Sequence, residues 1–240
     1  MIKSRDVRVS VCISVYNGEA VLGRCLDSVV NQTLKEVEIV LVNNGSTDLT
    51  LAIMNHYKKR FPDIVRVYSQ EDQGLAQGRQ TGIDNATGEF VVFLDADDYV
   101  TNDAYELLYG SALKHKVDIV ECMTLKDREI IQSKYKGIKQ TSEILSDYFV
   151  KGDIPSMIWL RLYKRSLFVN PVMPKIYVNN EDIFAFPCLL HAAKSIFYLK
   201  RQLHYYSTDN ELSVMVGLDK KNSDEDKLFQ NRVKTLYVVR

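Results

Sequence analysis

The chain has little cysteine, proline or tryptophan, no excess charge of either sign and no long apolar run. Its 240 residues hold 4 Cys, 5 Pro and 1 Trp. Cys12, Cys25, Cys122 and Cys188 are scattered without paired spacing. That argues against a disulfide framework or a thiolate zinc motif, and for buried free thiols in a reducing cytoplasm. Lys plus Arg and Asp plus Glu stand equal at 31 each, so no global field recruits nucleic acid. No stretch reaches the roughly 18 apolar residues of a membrane span. The start Arg5-Asp6-Val7-Arg8-Val9 reads as the beginning of a strand rather than a secretion signal. There is no internal repeat and no low-complexity tract. What remains is a globular chain, 46% hydrophobic, sized for one large α/β domain with an elaborated C-terminal part.

Period and punctuation predict the elements. Val7 to Val15 is a β-branched strand, turned by Tyr16-Asn17-Gly18 into a helix over Ala20 to Val30. Val37 to Val42 is a second strand, closed by Asn43-Asn44-Gly45-Ser46-Thr47-Asp48, with Ser46 or Thr47 as N-cap of a helix from Leu49 to Arg60. A short strand over Val65 to Tyr68, a helix over Gly74 to Ala86 and an apolar strand from Phe90 complete the regular part. Strands alternating with helices in this way argue for βαβ units and a mostly parallel sheet. Beyond it the spacing predicts a helix over Asn102 to Lys114 and a fifth strand over Val117 to Met123. Lys126 to Gln140 reads as an exposed hairpin or insertion. A helix over Thr141 to Val150, an apolar segment around Trp159, a helix over Glu181 to Ala193 and strands over Ile196 to Leu199 and Leu203 to Tyr206 follow. The end, Leu228 to Val239, is partly apolar without helix-stop signals, so the chain is expected to continue in a longer protein.

The chemistry begins where Phe90-Val91-Val92-Phe93-Leu94 gives way to Asp95-Ala96-Asp97-Asp98. A buried parallel strand puts its carboxyl end at the lip of the sheet, where open α/β folds hold ligands. Carboxylates crowded there repel one another, and a hard divalent cation with a substrate's phosphates relieves the repulsion. An acidic loop leading into the next helix is the alternative. Acids at Glu181 and Asp182 begin a helix, which stabilises them through its dipole whatever they do.

Six segments in order resemble the family-2 glycosyltransferases with the GT-A nucleotide-sugar fold. These are Val9 to Asn17, Asn43 to Asp48, Gly74 to Gly88, Asp95 to Asp98, Trp159 to Leu167 and Asn180-Glu181-Asp182. The resemblance implies a Rossmann-like, mostly parallel sheet flanked by helices. Residues 1–98 would bind the nucleotide sugar, 99–215 would form the smaller acceptor side, and 216–240 a tail. It implies an inverting, Mn2+- or Mg2+-dependent transfer of one sugar from a nucleotide-sugar donor to a glycan or lipid-linked acceptor. The setting would be the cytoplasm, with peripheral association at the membrane face. By resemblance Asp97 is the direct metal ligand and Asp95 serves the ribose or the metal. Ser14, Tyr16 and Asn44 line the base pocket, with ring stacking at Tyr16, and Asp182 is the general base beside Glu181.

The family carries an acid at the position of Asn44, which favours a uracil imide; the neutral amide leaves thymidine or another base open. Arg79 resembles the arginine near the nucleotide, or else ties the loops together through Asp48 or Asp95. Trp159 offers a sugar platform or packs in the core, and Arg161 faces phosphate or acceptor. His204 completes the metal shell or is structural. Processive members carry membrane spans and a Gln-x-x-Arg-Trp segment after the base, neither of which is present here. A catalytically silent nucleotide-sugar or glycan-binding module is the alternative function.

Overall fold

The computed structural model describes residues 6–151, 154–169, 172–174 and 181–208. The tail over 216–240 lies outside the described residues. The first half runs β1 (Val9–Val15), α1 (Leu22–Val30), β2 (Val37–Asn44), α2 (Thr50–Arg60), β3 (Val65–Gln70), α3 (Gly74–Asp84) and β4 (Phe90–Phe93). The second half continues with β5 (Tyr99–Val100), α4 (Ala104–His115), β6 (Ile119–Lys126), β7 (Glu129–Ile131), β8 (Gly137–Gln140) and α5 (Thr141–Lys151). A 3-10 turn over Ile158–Leu160, β9 (Arg161–Lys164), α6 (Asp182–Ala192) and β10 (Ser195–Tyr206) complete it.

One sheet joins both halves in the order β3-β2-β1-β4-β9-β6-β10-β5, with β7 on β6 and β8 on β10. Pairings β3/β2, β2/β1 and β1/β4 are parallel, as the alternating pattern requires. β9 then enters antiparallel to both β4 and β6, so beyond β4 the sheet is mixed. β1, β2 and β4 are almost wholly buried because both faces of the sheet are covered there, whereas the edge strand β3 leaves Arg66 and Ser69 exposed. Val9, Val11, Ile13 and Val15 of β1 pack with Leu22, Cys25 and Leu26 of α1, Met54 of α2 and Tyr105 and Leu108 of α4. Cys12, Val91 and Phe93 point the other way, toward Ala76 and Ile83 of α3 and Phe186 and Leu189 of α6. Each such aliphatic side chain, when fully buried, contributes about 1.5–3 kcal/mol. Three of the four cysteines are buried free thiols; Cys188 is exposed.

Local departures from the expected elements have simple causes. The fifth long strand begins at Ile119 rather than Val117, because Lys116 takes the left-handed conformation (φ 52°) that ends α4. The two strands expected near residues 196–206 are one strand, β10; exposed Lys200 and Arg201 mark irregular register against β6, not a break. The polar stretch 126–140 does hold a hairpin, β6–β7, turned by Asp127 at φ 53°. Neither Ser46 nor Thr47 caps α2. Instead Asp48 Oδ1 accepts from the Thr50 amide (3.0 Å) and Glu19 Oε2 from the Leu49 amide (2.8 Å).

Candidate active site

The chain builds outward from β1 to β2 and β3, then returns to place β4 on the other side of β1. That reversal opens a crevice at the strands' carboxyl ends, where open α/β sheets bind ligands. The loops leaving β1 and β2 are laced together there. Ser46 Oγ accepts from the Asn17 amide (3.0 Å), Asn17 Oδ1 from the Thr47 amide (2.8 Å), and Thr50 Oγ1 from the Gly18 amide (2.8 Å). Ser14, near the end of β1, sits under α3 at Gly78. A Cβ at residue 78 would lie 2.0 Å from Ser14 Oγ, so only glycine lets the helix close this far over the crevice.

Arg79 of α3 is the hub. Its guanidinium, 4% exposed, donates to Asp95 Oδ1 (2.6 Å), to Asp182 Oδ1 (2.9 Å) and to Glu181 Oε1. One cation thus fastens the loop after β4 to the first turn of α6, two segments far apart in sequence. Of the two expected roles for Arg79, the loop tie describes its contacts: Asp95 is bound, whereas Asp48 stays with the amides of Glu19 and Thr50. The Asp182 side chain is 15% exposed. Burial drives its carboxyl up to about 7; Arg79 opposes the rise, and the negative charges of Glu181 and Asp95 add to it. Glu181, 5% exposed, faces Arg79 rather than an acceptor surface.

The Asp97-Asp98 corner is anchored differently. Asp98 is fully buried, accepts from the Ser207 amide (2.9 Å) and faces His204 Nε2 at 3.2 Å. Burial lifts its carboxyl to about 6 against the pull of His204. Arg24 Nη2 holds the Asp97 carbonyl (2.9 Å) and Ser207 Oγ (2.8 Å), a brace that nothing in the sequence pattern announced. Asp97 itself is partly exposed at the lip.

Three expected acceptor-side residues are placed elsewhere. His204 is buried under Trp159, ring centroids 4.7 Å apart, with Nδ1 3.3 Å from Thr124 Oγ1 and Nε2 3.2 Å from Asp98 Oδ2. Trp159, 6% exposed, stacks on His204 and leans on Tyr206, which makes it core rather than a sugar platform. Arg161 is fully buried. It pairs with Glu121 (2.6 Å), donates to the carbonyls of Met157 and Pro155 and lies 3.8 Å over Phe186. Its position in β9, between β4 and β6, turns it inward.

On the β2 side Tyr16 is exposed, 56% of its surface open. Asn44 is buried, and its amide is fully engaged with Asp72, Gly74, Gln70 and the Gln73 amide.

Among the described residues no three His, Cys, Asp or Glu converge into a closed cation cage. The donor set at the lip is nonetheless hard oxygen. Asp97 stands at the edge, and Asp95 has one oxygen on Arg79 and the other without a protein partner among the described residues. Magnesium-like cations in phosphate-transfer sites take one or two carboxylates and complete their shell with water and substrate phosphates, so these residues fit such an ion.

Residues 10–168 match the family model described as Glycosyl transferase family 2. The chain is 29% identical over 214 residues to glycosyltransferase GlyA of Streptococcus pneumoniae, covering 84% of this chain and 30% of that protein. Its fold is similar to that of S. aureus TarS 1-349 solved in complex with UDP-GlcNAc. The TM-score is 0.71 at 23% identity, over 85% of this chain and 59% of that one. It is also similar to the mannosyltransferase PcManGT from Pyrobaculum calidifontis, solved with GDP-Man and Mn2+. There the TM-score is 0.61 at 19% identity, over 83% and 56%. The chain therefore spans well under two thirds of the length of these proteins.

Proposed function

The chain belongs to glycosyl transferase family 2, and from that premise we propose that it moves one sugar from a nucleotide-sugar donor, a UDP-sugar foremost, to a glycan or lipid-linked saccharide acceptor with inversion. One observation carries the reading: Arg79 draws Asp95, from the donor lip, and Asp182, from the head of α6, onto one guanidinium across the crevice. Residues 1–98 supply the donor side, and Asp182 stands in the acceptor side, 99–215. TarS with UDP-GlcNAc and PcManGT with GDP-Man support a sugar nucleotide as donor class.

In this reading Asp182 takes the proton of the acceptor hydroxyl as that oxygen attacks the anomeric carbon. The bond from carbon to the diphosphate oxygen breaks with its electron pair on the diphosphate, and single displacement inverts the centre. A carboxyl raised to about 7 is matched to this task near neutral pH, strong enough as a base yet largely ionised above it. Arg79 fixes its orientation and keeps it charged; it acts on the reaction as a positioning residue. A divalent cation held by Asp97 and Asp95 would neutralise charge on the departing diphosphate as a Lewis acid. We assign single-sugar transfer, at the cytoplasmic membrane face, to the same reading.

The test is release of nucleoside diphosphate from UDP-sugars in the presence of Mn2+. Asp182→Asn should lose turnover by a factor of at least about 100 while donor affinity stays within about threefold. Turnover near that of the unaltered protein removes Asp182 from the mechanism. Tight donor binding without turnover by the unaltered protein favours the silent binding module.

A further inference from the structure

Five lysines gather where the stretch after β7 meets the edge strand β8, α5 and β10. Lys134 Nζ lies 5.2 Å and Lys139 Nζ 5.9 Å from the ring centre of Tyr135, whose hydroxyl donates to Asp147 of α5. Lys134 also approaches Asp147 Oδ2 (3.4 Å), and Lys151, one turn further along α5, reaches Oδ1 (2.9 Å). Lys200 Nζ of β10 donates to Gln132 Oε1 (3.0 Å) and to the Ser133 carbonyl (2.8 Å), and the charge of Lys136 opposes its own. Glu121, whose charge also acts on Lys200, is committed to Arg161 (2.6 Å). Lys136, Lys139 and Lys200 have no carboxylate at ion-pair distance among the described residues. The chain as a whole carries equal numbers of acids and bases, so this excess of cations is local. Apolar side chains stand open among them: Ile138, 48% exposed, between Lys136 and Lys139, and Val150, 74% exposed, beside Lys151.

We propose that this face docks the protein on an anionic phospholipid bilayer, its lysines at the lipid phosphates and Val150 and Ile138 in the headgroup layer. The proposal extends the reading of an acceptor presented at a membrane, and it uses none of the catalytic residues. Lysine suits a charged surface: each ammonium is a hydrated point charge on a flexible stem, whereas a single bound phosphate favours the guanidinium fork. A polynucleotide would stack its bases on open rings. Tyr135, the aromatic ring of the cluster, already has Tyr198 at 5.4 Å and two ammonium groups about it. Attraction to anionic lipid grows with the number of cations and is joined by burial of apolar side chains, which matches lysines interleaved with Ile138 and Val150. The placement suits the chemistry too. Tyr148 of α5 packs edge-on against Phe186 of α6 (5.6 Å), and α6 opens with Asp182, so the docking face and the candidate base share one helix pair.

Co-sedimentation of the whole chain with vesicles tests this. One set is phosphatidylcholine alone, and the other carries about one third phosphatidylglycerol. The unaltered protein should bind the anionic set at least about 100-fold more tightly, and should lose most of that binding as NaCl rises from about 0.1 M to about 0.5 M. Each lysine near such a surface strengthens binding about fivefold, so Lys136→Gln, Lys139→Gln and Lys151→Gln together should weaken it about 100-fold. None of the three takes part in the crevice contacts, so Tm and nucleoside diphosphate release in solution should match those of the unaltered protein. Equal binding to both vesicle sets, or binding to neither, overturns the proposal, and that arm needs no variant to fold. Retention of the triple variant within about threefold of the unaltered protein overturns it as well. So does tighter binding to soluble polyphosphate than to anionic vesicles, compared per phosphate, which assigns the face to a soluble polyanion. Nucleoside diphosphate release without vesicle binding strikes the docking face alone; vesicle binding without release strikes the transferase reading alone.

Discussion

Replacing Arg79 with methionine removes one buried cation and leaves three carboxylates facing each other across the crevice. Glu181 and Asp182 are 5% and 15% exposed and cannot hydrate fully, whereas Asp95, at 28%, partly can. Removing one partner of a buried ion pair costs about 3–5 kcal/mol, because the other charge stays buried and uncompensated. With one of the three anions able to reach water, the lower half of that range is expected, about 3–4 kcal/mol. For a domain of this size that is a fall in Tm of roughly 6–16 °C.

The loss should depend on pH, and its sign is fixed. Arg79 is the influence that lowers the Asp182 carboxyl, so its removal lifts that group further above its unfolded value. A group raised on folding favours the folded state below its unfolded pKa and loses that contribution as pH climbs through the folded value. The variant's deficit should therefore be smallest near pH 5 and grow toward pH 8. Urea denaturation of both proteins at pH 5, 6.5 and 8 measures it. A deficit under about 1 kcal/mol, or one equal at all three pH values, would refute the claim that Arg79 neutralises buried acids.

Two further outcomes follow from the same geometry. The rate of transfer under limiting substrate should fall about tenfold per unit below a midpoint near pH 7, where Asp182 takes its proton, and flatten above it; a profile flat from pH 5.5 to 8 contradicts Asp182 as base. Arg161→Met alone should destabilise the fold by about 3–5 kcal/mol through stranded Glu121, and Arg161→Met with Glu121→Leu should recover most of that, measured by urea titration. Equal losses in the single and double variants would show that the pair is not the source.

The first half, β1 to β4, was legible in the sequence because local patterns determine it. A β-branched run buried on both faces, followed by a polar loop and a helix, has few other solutions, and the parallel strands β1 to β4 stand close to the expected segments. The mixed half was less so. β9 is a four-residue strand whose insertion between β4 and β6 depends on long-range pairing that no local period encodes. Asp95 and Asp182 were nameable as acids at a strand end and a helix start, but that Arg79 joins them is a matter of three dimensions. Trp159, Arg161 and His204 look like functional residues in one dimension because they are polar or aromatic. In the fold each is buried against other protein groups: the arginine on Glu121, and the indole on the imidazole of His204, which faces Asp98. Arg24 carried no signal at all, since it is a helix-surface cation until its neighbours are known.

The most direct measurement is thermal unfolding with saturating UDP, in the presence and absence of Mn2+, for the unaltered protein and for Asp97→Asn. A ligand at a hundredfold excess over its Kd stabilises the folded state by about 2.7 kcal/mol, a rise of roughly 5–11 °C in Tm. If Asp97 and Asp95 hold a cation against the diphosphate, that rise requires Mn2+ in the unaltered protein and is largely lost in Asp97→Asn. An equal rise without the metal, or full retention of it in Asp97→Asn, would contradict the account.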